Sequence, residues 1–272
     1  MNSQTITTTS PKTRNGNITL ALRQIRFENK SFWRNPAAAF FTFAFPLIFL
    51  VLFNLLFGDT TYRLSPTKVV TLRTFYVPAI AAFSVITACY TNVAMSLTFS
   101  REQGVLKRKR GTPLPAWGYL VGKIAHSVLV ALLLVGIVTA AGKIFYDVSL
   151  ATETLPAFIV TVLAGALTFP ALGIAITSFV PNADAAPPVI NATILPLLFV
   201  SGIFIPLNNA PAWLLHVANF FPIRHFAEAM KFSFTGTGGG NGFHWGDLGI
   251  MAIWAVVGAL VAVRFFKWEK TR

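Results

Sequence analysis

The chain has 272 residues, 54% of them hydrophobic and only 11% charged, with a formal net charge of +13. Soluble domains carry about 25% charged residues, so the composition excludes an ordinary soluble fold, and its long hydrophobic blocks are those of a membrane protein. The cations sit at the edges of those blocks and not on a soluble face among aromatics, which points to topology and membrane lipids and away from nucleic acid.

Residues 1–17 lack the apolar run of a signal peptide and are expected to form a short disordered tail. The segment NITLALRQIRFENKSFWRNP, 17–36, places Ile18, Leu22, Ile25 and Phe32 on one helical face, with Arg23, Arg26 and Lys30 elsewhere. That pattern predicts an amphipathic helix in the headgroup plane, with Phe32 and Trp33 in the aromatic belt. Pro36 marks a turn into the first span. The helix is either a plain anchor or a lever that also touches a cytoplasmic partner. Residues 1–36 therefore form a tail and elbow, and 37–272 a transmembrane domain.

About 20 apolar residues at about 1.5 Å each cross a hydrocarbon core of about 30 Å. Six blocks qualify: 37–57, 75–99, 119–145, 155–180, 188–206 and 248–266. The stretch 211–230 contains His216, Pro222, Arg224, His225 and Glu228. It is expected to form short helices at the outer interface, or a re-entrant hairpin packed on protein. The predicted fold is all-α and integral to the membrane, with six spans, an interfacial elbow and short extracellular helices before the last span. Cations cluster before span one, between spans two and three, and after span six, so both termini are expected in the cytoplasm of a cell-membrane protein.

Span two carries Ser84, Thr87, Tyr90, Thr91, Asn92 and Ser96, and span five Asn191, Thr193 and Ser201. Either these groups bond to helix carbonyls and neighbouring helices, or they line a path for amphiphilic cargo. Cys89 is the single cysteine and reads as a small buried apolar residue.

The loop REQGVLKRKR, from Arg101, puts five cations into ten positions and is expected to form about three helical turns. Val105 and Leu106 are its only aliphatics, so it is expected not to bury itself against its own chain. Gly104 permits close approach of another backbone. Pro113 and Pro115 then stop the helix.

His225 and Glu228, three apart, lack a third ligand, so a His–Glu hydrogen bond or interfacial anchor is expected over a metal site. There is no G-x-x-x-x-G-K-[ST] phosphate loop. GTGGGNG, 236–242, reads as a flexible outer loop.

The order Glu102, Gly104, Leu106, Thr112, Pro113, then Tyr119, Gly122 and Lys123, resembles the membrane subunit of type-2 ABC exporters, the daunorubicin-resistance and polysaccharide-export permeases. Ser201, Gly202, Phe204, Pro206, Pro211, Trp213, Pro222, His225 and Glu228 resemble that family's region after span five. The elbow ending in Trp-Arg-Asn-Pro is a third match. The resemblance implies a coupling helix at 101–113, with Glu102, Gly104, Leu106, Lys107, Thr112 and Pro113 docking on an ATPase. It also implies an elbow helix marked by Leu22, Ile25, Arg26, Phe32 and Trp33. The substrate path would use Ser84, Thr87, Tyr90, Thr91, Asn92, Asn191 and Ser201. The partners implied are two ATP-binding subunits, which hold ATP and Mg, and a second membrane subunit, identical or homologous; no cofactor is expected in this chain. The alternatives are a non-transporting scaffold or assembly factor, or a membrane-embedded hydrolase. The hydrolase would need acids inside the spans, and no predicted span has one.

Overall fold

A computed structural model describes residues 14–65, 68–111, 116–207, 210–236 and 241–265. Helix α1 (Arg14–Trp33) is joined to α2 (Pro36–Phe57) through Arg34 and Asn35. Asn35 caps α2 by accepting from the Ala38 amide at 3.2 Å, and Pro36 takes the first helical position, where its missing N–H costs nothing. Between α2 and the next helix lies a feature the all-α expectation lacked, an antiparallel hairpin of β1 (Thr61–Ser65) and β2 (Lys68–Thr71). Its threonines, tyrosine and valines are residues that favour extended backbone.

Helix α3 (Leu72–Ile86) continues through one wide π-helical turn (Thr87–Thr91) into α4 (Asn92–Glu102). After a turn come the short α5 (Val105–Arg110) and the long α6 (Ala116–Tyr146). A 3-10 turn (Thr152–Thr154) opens α7 (Leu155–Ile176). Then follow α8 (Ala186–Val200), α9 (Ala212–Phe220), α10 (Pro222–Thr235) and α11 (Trp245–Phe265).

Among the described residues five helices are long and apolar enough to cross a membrane: Pro36–Phe57, Leu72–Glu102, Trp117–Tyr146, Thr152–Ile176 and Trp245–Phe265. They coincide with five of the six predicted spans. The remaining one, predicted over 188–206, is helical only from Ala186 to Val200. The helix ends because the chain turns at Ser201 and enters the left-handed region at Gly202 (φ 80°), a common way to stop a helix.

The α3–α4 helix is the axis of the bundle. Its apolar window is 72% buried, against 17% for α2 and 22% for α11. Helices α2, α6, α7 and α10 pack around α3, and α11 lies along α7. The outer surface carries exposed Leu55 and Leu56 on α2, Ile144 and Phe145 on α6, and Leu260 and Val263 on α11. Apolar exposure at that density suits hydrocarbon, not water. The doubtful segment 211–230 forms α9 and the first part of α10. Helix α9 is mostly exposed, whereas α10 is buried against α3, α7 and α11.

Arg101 and Glu102 finish α4, Gly104 then takes φ 66°, and α5 starts afresh. The expected three continuous turns are therefore broken. Nothing of this chain lies within 4 Å of where a Gly104 side chain would begin, so within the chain the glycine serves the left-handed turn. Gly104→Ala is expected to cost about 1 kcal/mol and Gly104→Asn less, because asparagine tolerates that backbone. Thermal melts of the two variants would show that order.

Candidate functional site

The five cations of 101–110 do not act as a block. Arg101 is buried, and its guanidinium donates to the carbonyls of Thr177, at 2.9 Å, and of Val180. These acceptors lie just past the end of α7, where helix carbonyls lack partners and the helix dipole is negative. Lys109 also turns inward. Its Nζ lies 4.2 Å from the centre of the Tyr119 ring and 3.5 Å from Glu28 Oε1. Lys107 and Arg108 are exposed.

Leu106 is fully buried among Val93, Leu97, Tyr119, Ile174 and Ala262. This corrects the expectation that the segment cannot bury itself: the Gly104 turn lays α5 against α4, and one leucine suffices to anchor it. Glu102 is half-buried at the end of α4. Thr112 and Pro113 lie outside the described residues.

Helix α1 docks on α6. Gly122 lets it come close, since a side chain there would begin 2.5 Å from Gln24 Cγ. The docked face carries Ala21, Gln24, Ile25, Glu28 and Phe32, whereas Leu22 is 62% exposed and Arg26 is also exposed. The docked face thus overlaps the predicted apolar stripe only at Ile25 and Phe32. Its partner on α6 is not apolar but the buried Lys123, and a buried ammonium needs a carboxylate. Phe32 packs beside the His126 ring at 5.4 Å, and Trp33 stacks on Phe43 with its indole N–H on Asn29.

Glu28 is the centre of the junction. Its Oε2 accepts from Lys123 Nζ at 2.8 Å, and its Oε1 accepts from Gln24 at 2.6 Å and faces Lys109. Lys123 also donates to Ser96 Oγ at 2.6 Å. Burial alone would raise the Glu28 carboxyl, but Lys123 and Lys109 outweigh it and hold the group below the usual carboxylate value. Burial pushes the Lys109 ammonium down, against the pull of Glu28. One carboxylate therefore ties together α1, α5 and α6. Glu28 was not among the residues singled out in the sequence, and Lys109 was noted only as one of the five cations of 101–110. A signal existed, since Glu28 is the only acid before Asp59 in a strongly basic stretch.

Beside this junction lies a cleft of about 450 Å³, walled by α1, the start of α2, the π turn, α4 and α6. Of the predicted path residues only Asn92 lines it, with its amide 3.4 Å from Thr42 Oγ1. Tyr90 lines a separate apolar groove of about 300 Å³, where its hydroxyl meets Thr193 of α8 at 2.7 Å. Ser84, Thr87 and Ser201 bond carbonyls of their own helices. Thr91 and Asn191 are half-buried. The structure does not bring the predicted path residues into one site.

At the other end of α10, His225 Nδ1 lies 2.6 Å from Asp247 Oδ1 and its Nε2 2.7 Å from the Asn219 carbonyl. Glu228 instead meets Lys231 at 2.6 Å. The expected His225–Glu228 pair is thus replaced by a partner from α11, and Asp247 is an acid that the predicted spans lacked. Both ring nitrogens face acceptors, which suits the doubly protonated ring. The hydrogen bond to Asp247 accordingly raises the His225 pKa. The stabilisation is complete below the ordinary histidine pKa and is lost as pH rises through the raised folded value. Melting temperature is therefore expected to fall by about 2–4 °C between pH 6 and 9, and His225→Gln to flatten that dependence. Among the described residues no group of three or more His, Cys, Asp or Glu could hold a metal ion.

Long apolar helices around a buried axial helix, with α1 and the short basic α5 locked together at one end, are those of a multi-pass membrane protein. The chain belongs to the ABC-2 type transporter family, whose model matches residues 20–234. It is similar to the "Probable multidrug ABC transporter permease YbhR" of Escherichia coli K12, 29% identical over 157 residues. That alignment covers 58% of this chain and 42% of YbhR, less than half the relative's length. It is also similar to the "Inner membrane transport permease YadH" of the same strain, 25% identical over 217 residues, which cover 76% of this chain and 82% of YadH.

Proposed function

We propose that this chain is the transmembrane subunit of an ATP-driven exporter that moves a hydrophobic or amphipathic substrate out of the cytoplasm or inner leaflet. A separate ATP-binding subunit, two copies per assembly, supplies ATP and Mg, and a second membrane subunit, identical or homologous, completes the pathway. In this reading α8 with its following turn serves as a sixth span, and both termini and α5 face the cytoplasm. Family membership supports the ATP-binding partner, and the word multidrug in the name of YbhR supports amphipathic cargo. The observation that carries the reading is the construction of α5. Leu106 and Lys109 bolt it to the body, while Lys107 and Arg108 face outward, available to acidic side chains of a partner.

Closure of the ATP-binding subunits would push α5, and the Glu28 junction would carry the push to α1 and α6 together. The double variant Lys107→Glu and Arg108→Glu tests this. It is expected to melt like the wild type, because both side chains are exposed, yet to lose co-purification with the ATP-binding subunit or its response to the membrane subunit. Full assembly with wild-type ATPase response would remove α5 as the docking element.

A further inference from the structure

We propose that the cleft between α1, α2, α4 and α6 binds an uncharged amphiphile with a hydroxyl- or amide-bearing head and an aliphatic tail. The cargo role of that ligand rests on the transport reading above; its binding does not. The volume, about 450 Å³, lies in the range of small-molecule sites, roughly 300–1,000 Å³.

The charges decide the class of head. The wall holds one acid and one base, Glu28 and Lys123, and they are engaged with each other at 2.8 Å. No net charge of the wall selects an ionic head. What remains on the polar side is neutral, chiefly Asn35, Asn92, Ser100, Gln103 and His126. His126 is 9% exposed and its Nδ1 has no hydrogen-bond partner. A buried nitrogen in that state is a standing cost that a hydroxyl can relieve, since it donates or accepts to suit the ring. Phe32, Met95, Phe99 and Val130 supply apolar wall for a tail. Polar and apolar walls facing one space match a molecule with both halves.

The protein's own chemistry makes the test site-specific. Cys89 is buried with its sulfur 3.6 Å from the Ser127 carbonyl, so an introduced thiol reports alone. The full chain is placed in phosphatidylcholine nanodiscs carrying Ser31→Cys or Ser100→Cys in the cleft wall, with Arg23→Cys on the exposed face of α1 as control. Each is labelled with a water-soluble maleimide in the presence of decyl glucoside, decyl phosphate or decyltrimethylammonium. At about four times its apparent Kd, decyl glucoside is expected to slow both cleft thiols about fivefold and leave the control unchanged. The charged heads are expected to slow neither. Ala38→Trp, an exposed position at the cleft wall, is expected to abolish the protection.

Nanodiscs made with a neutral glucosyl diacylglycerol separate the sources: protection there without added solute assigns the ligand to the bilayer, and protection by decyl glucoside alone assigns it to a small solute. No protection, equal slowing of the control, stronger protection by a charged head, or protection that survives Ala38→Trp each overturns the proposal. Co-purification with the ATP-binding subunit is read separately. Assembly without cleft protection overturns the cleft alone, and protection without assembly overturns the transport reading while the site stands.

Discussion

Arg101→Ala is expected to lower stability by about 3 kcal/mol or more, because each hydrogen bond from a charged donor contributes about 1.5–3 kcal/mol and two are lost. The Thr177 and Val180 carbonyls would be left without their donor. Both follow the end of α7, which packs along α11 and across α3, so the damage would not stay local. Arg101→Lys should recover only part of the loss, since one ammonium lacks the planar fork that reaches two acceptors. Unfolding in mixed micelles, followed by helix signal against denaturing detergent, measures both variants. An alanine variant with wild-type stability would mean that water replaces the guanidinium at no cost.

Glu28→Gln is expected to have a comparable effect on folding and a larger one on coupling. Removing one partner of a buried pair costs about 3–5 kcal/mol, mostly because the other charge stays behind unpaired; here that charge is Lys123, whose side chain is 8% exposed. The double variant Glu28→Lys with Lys123→Glu should recover part of the stability by restoring one opposite-charge contact. It should recover less of the transport response, because Lys109 would then face a lysine on α1. The pH dependence carries a sign as well. The folded carboxyl lies below its usual value, so its contribution is complete above the ordinary carboxylate pKa and fades as pH falls through the folded value. Acid melts of wild type and Glu28→Gln should therefore converge at low pH. Curves that stay parallel would show that Glu28 acts through packing and not through charge.

The spans were legible because a bilayer demands one thing of a helix, continuous apolar length, and Pro36–Phe57 or Trp245–Phe265 shows it without reference to any neighbour. Lys123 and Arg101 were not legible in the same way. Each looks like a topological cation at the end of an apolar block, and only the packing turns one toward Glu28, 95 residues away, and the other toward α7, 76 and 79 residues away. The face by which α1 docks on α6 was not legible for a related reason. Periodicity ranks side chains by apolarity, so Leu22 outranked Gln24 and Glu28, yet the docked surface contains a buried ammonium and selects the polar residues. His225 was noticed as chemistry but paired with its near neighbour Glu228. The true partner, Asp247, lies 22 residues away on α11, a pairing that no local pattern encodes.

With α8 as the sixth span, as proposed above, its length has a mechanical consequence for the bilayer itself. Fifteen residues rise about 22 Å, about 8 Å less than an average hydrocarbon core. Lipids bordering such a span would thin, tilt or bend to cover its ends, at fractions of a kcal/mol per Å of mismatch. Other flanks of the protein present helices of 21 residues or more, such as α2 and α11. The protein thus meets its solvent with an uneven rim, and membrane elasticity pulls hardest beside α8. Thickness of the surrounding bilayer becomes a force on the fold, independent of any nucleotide.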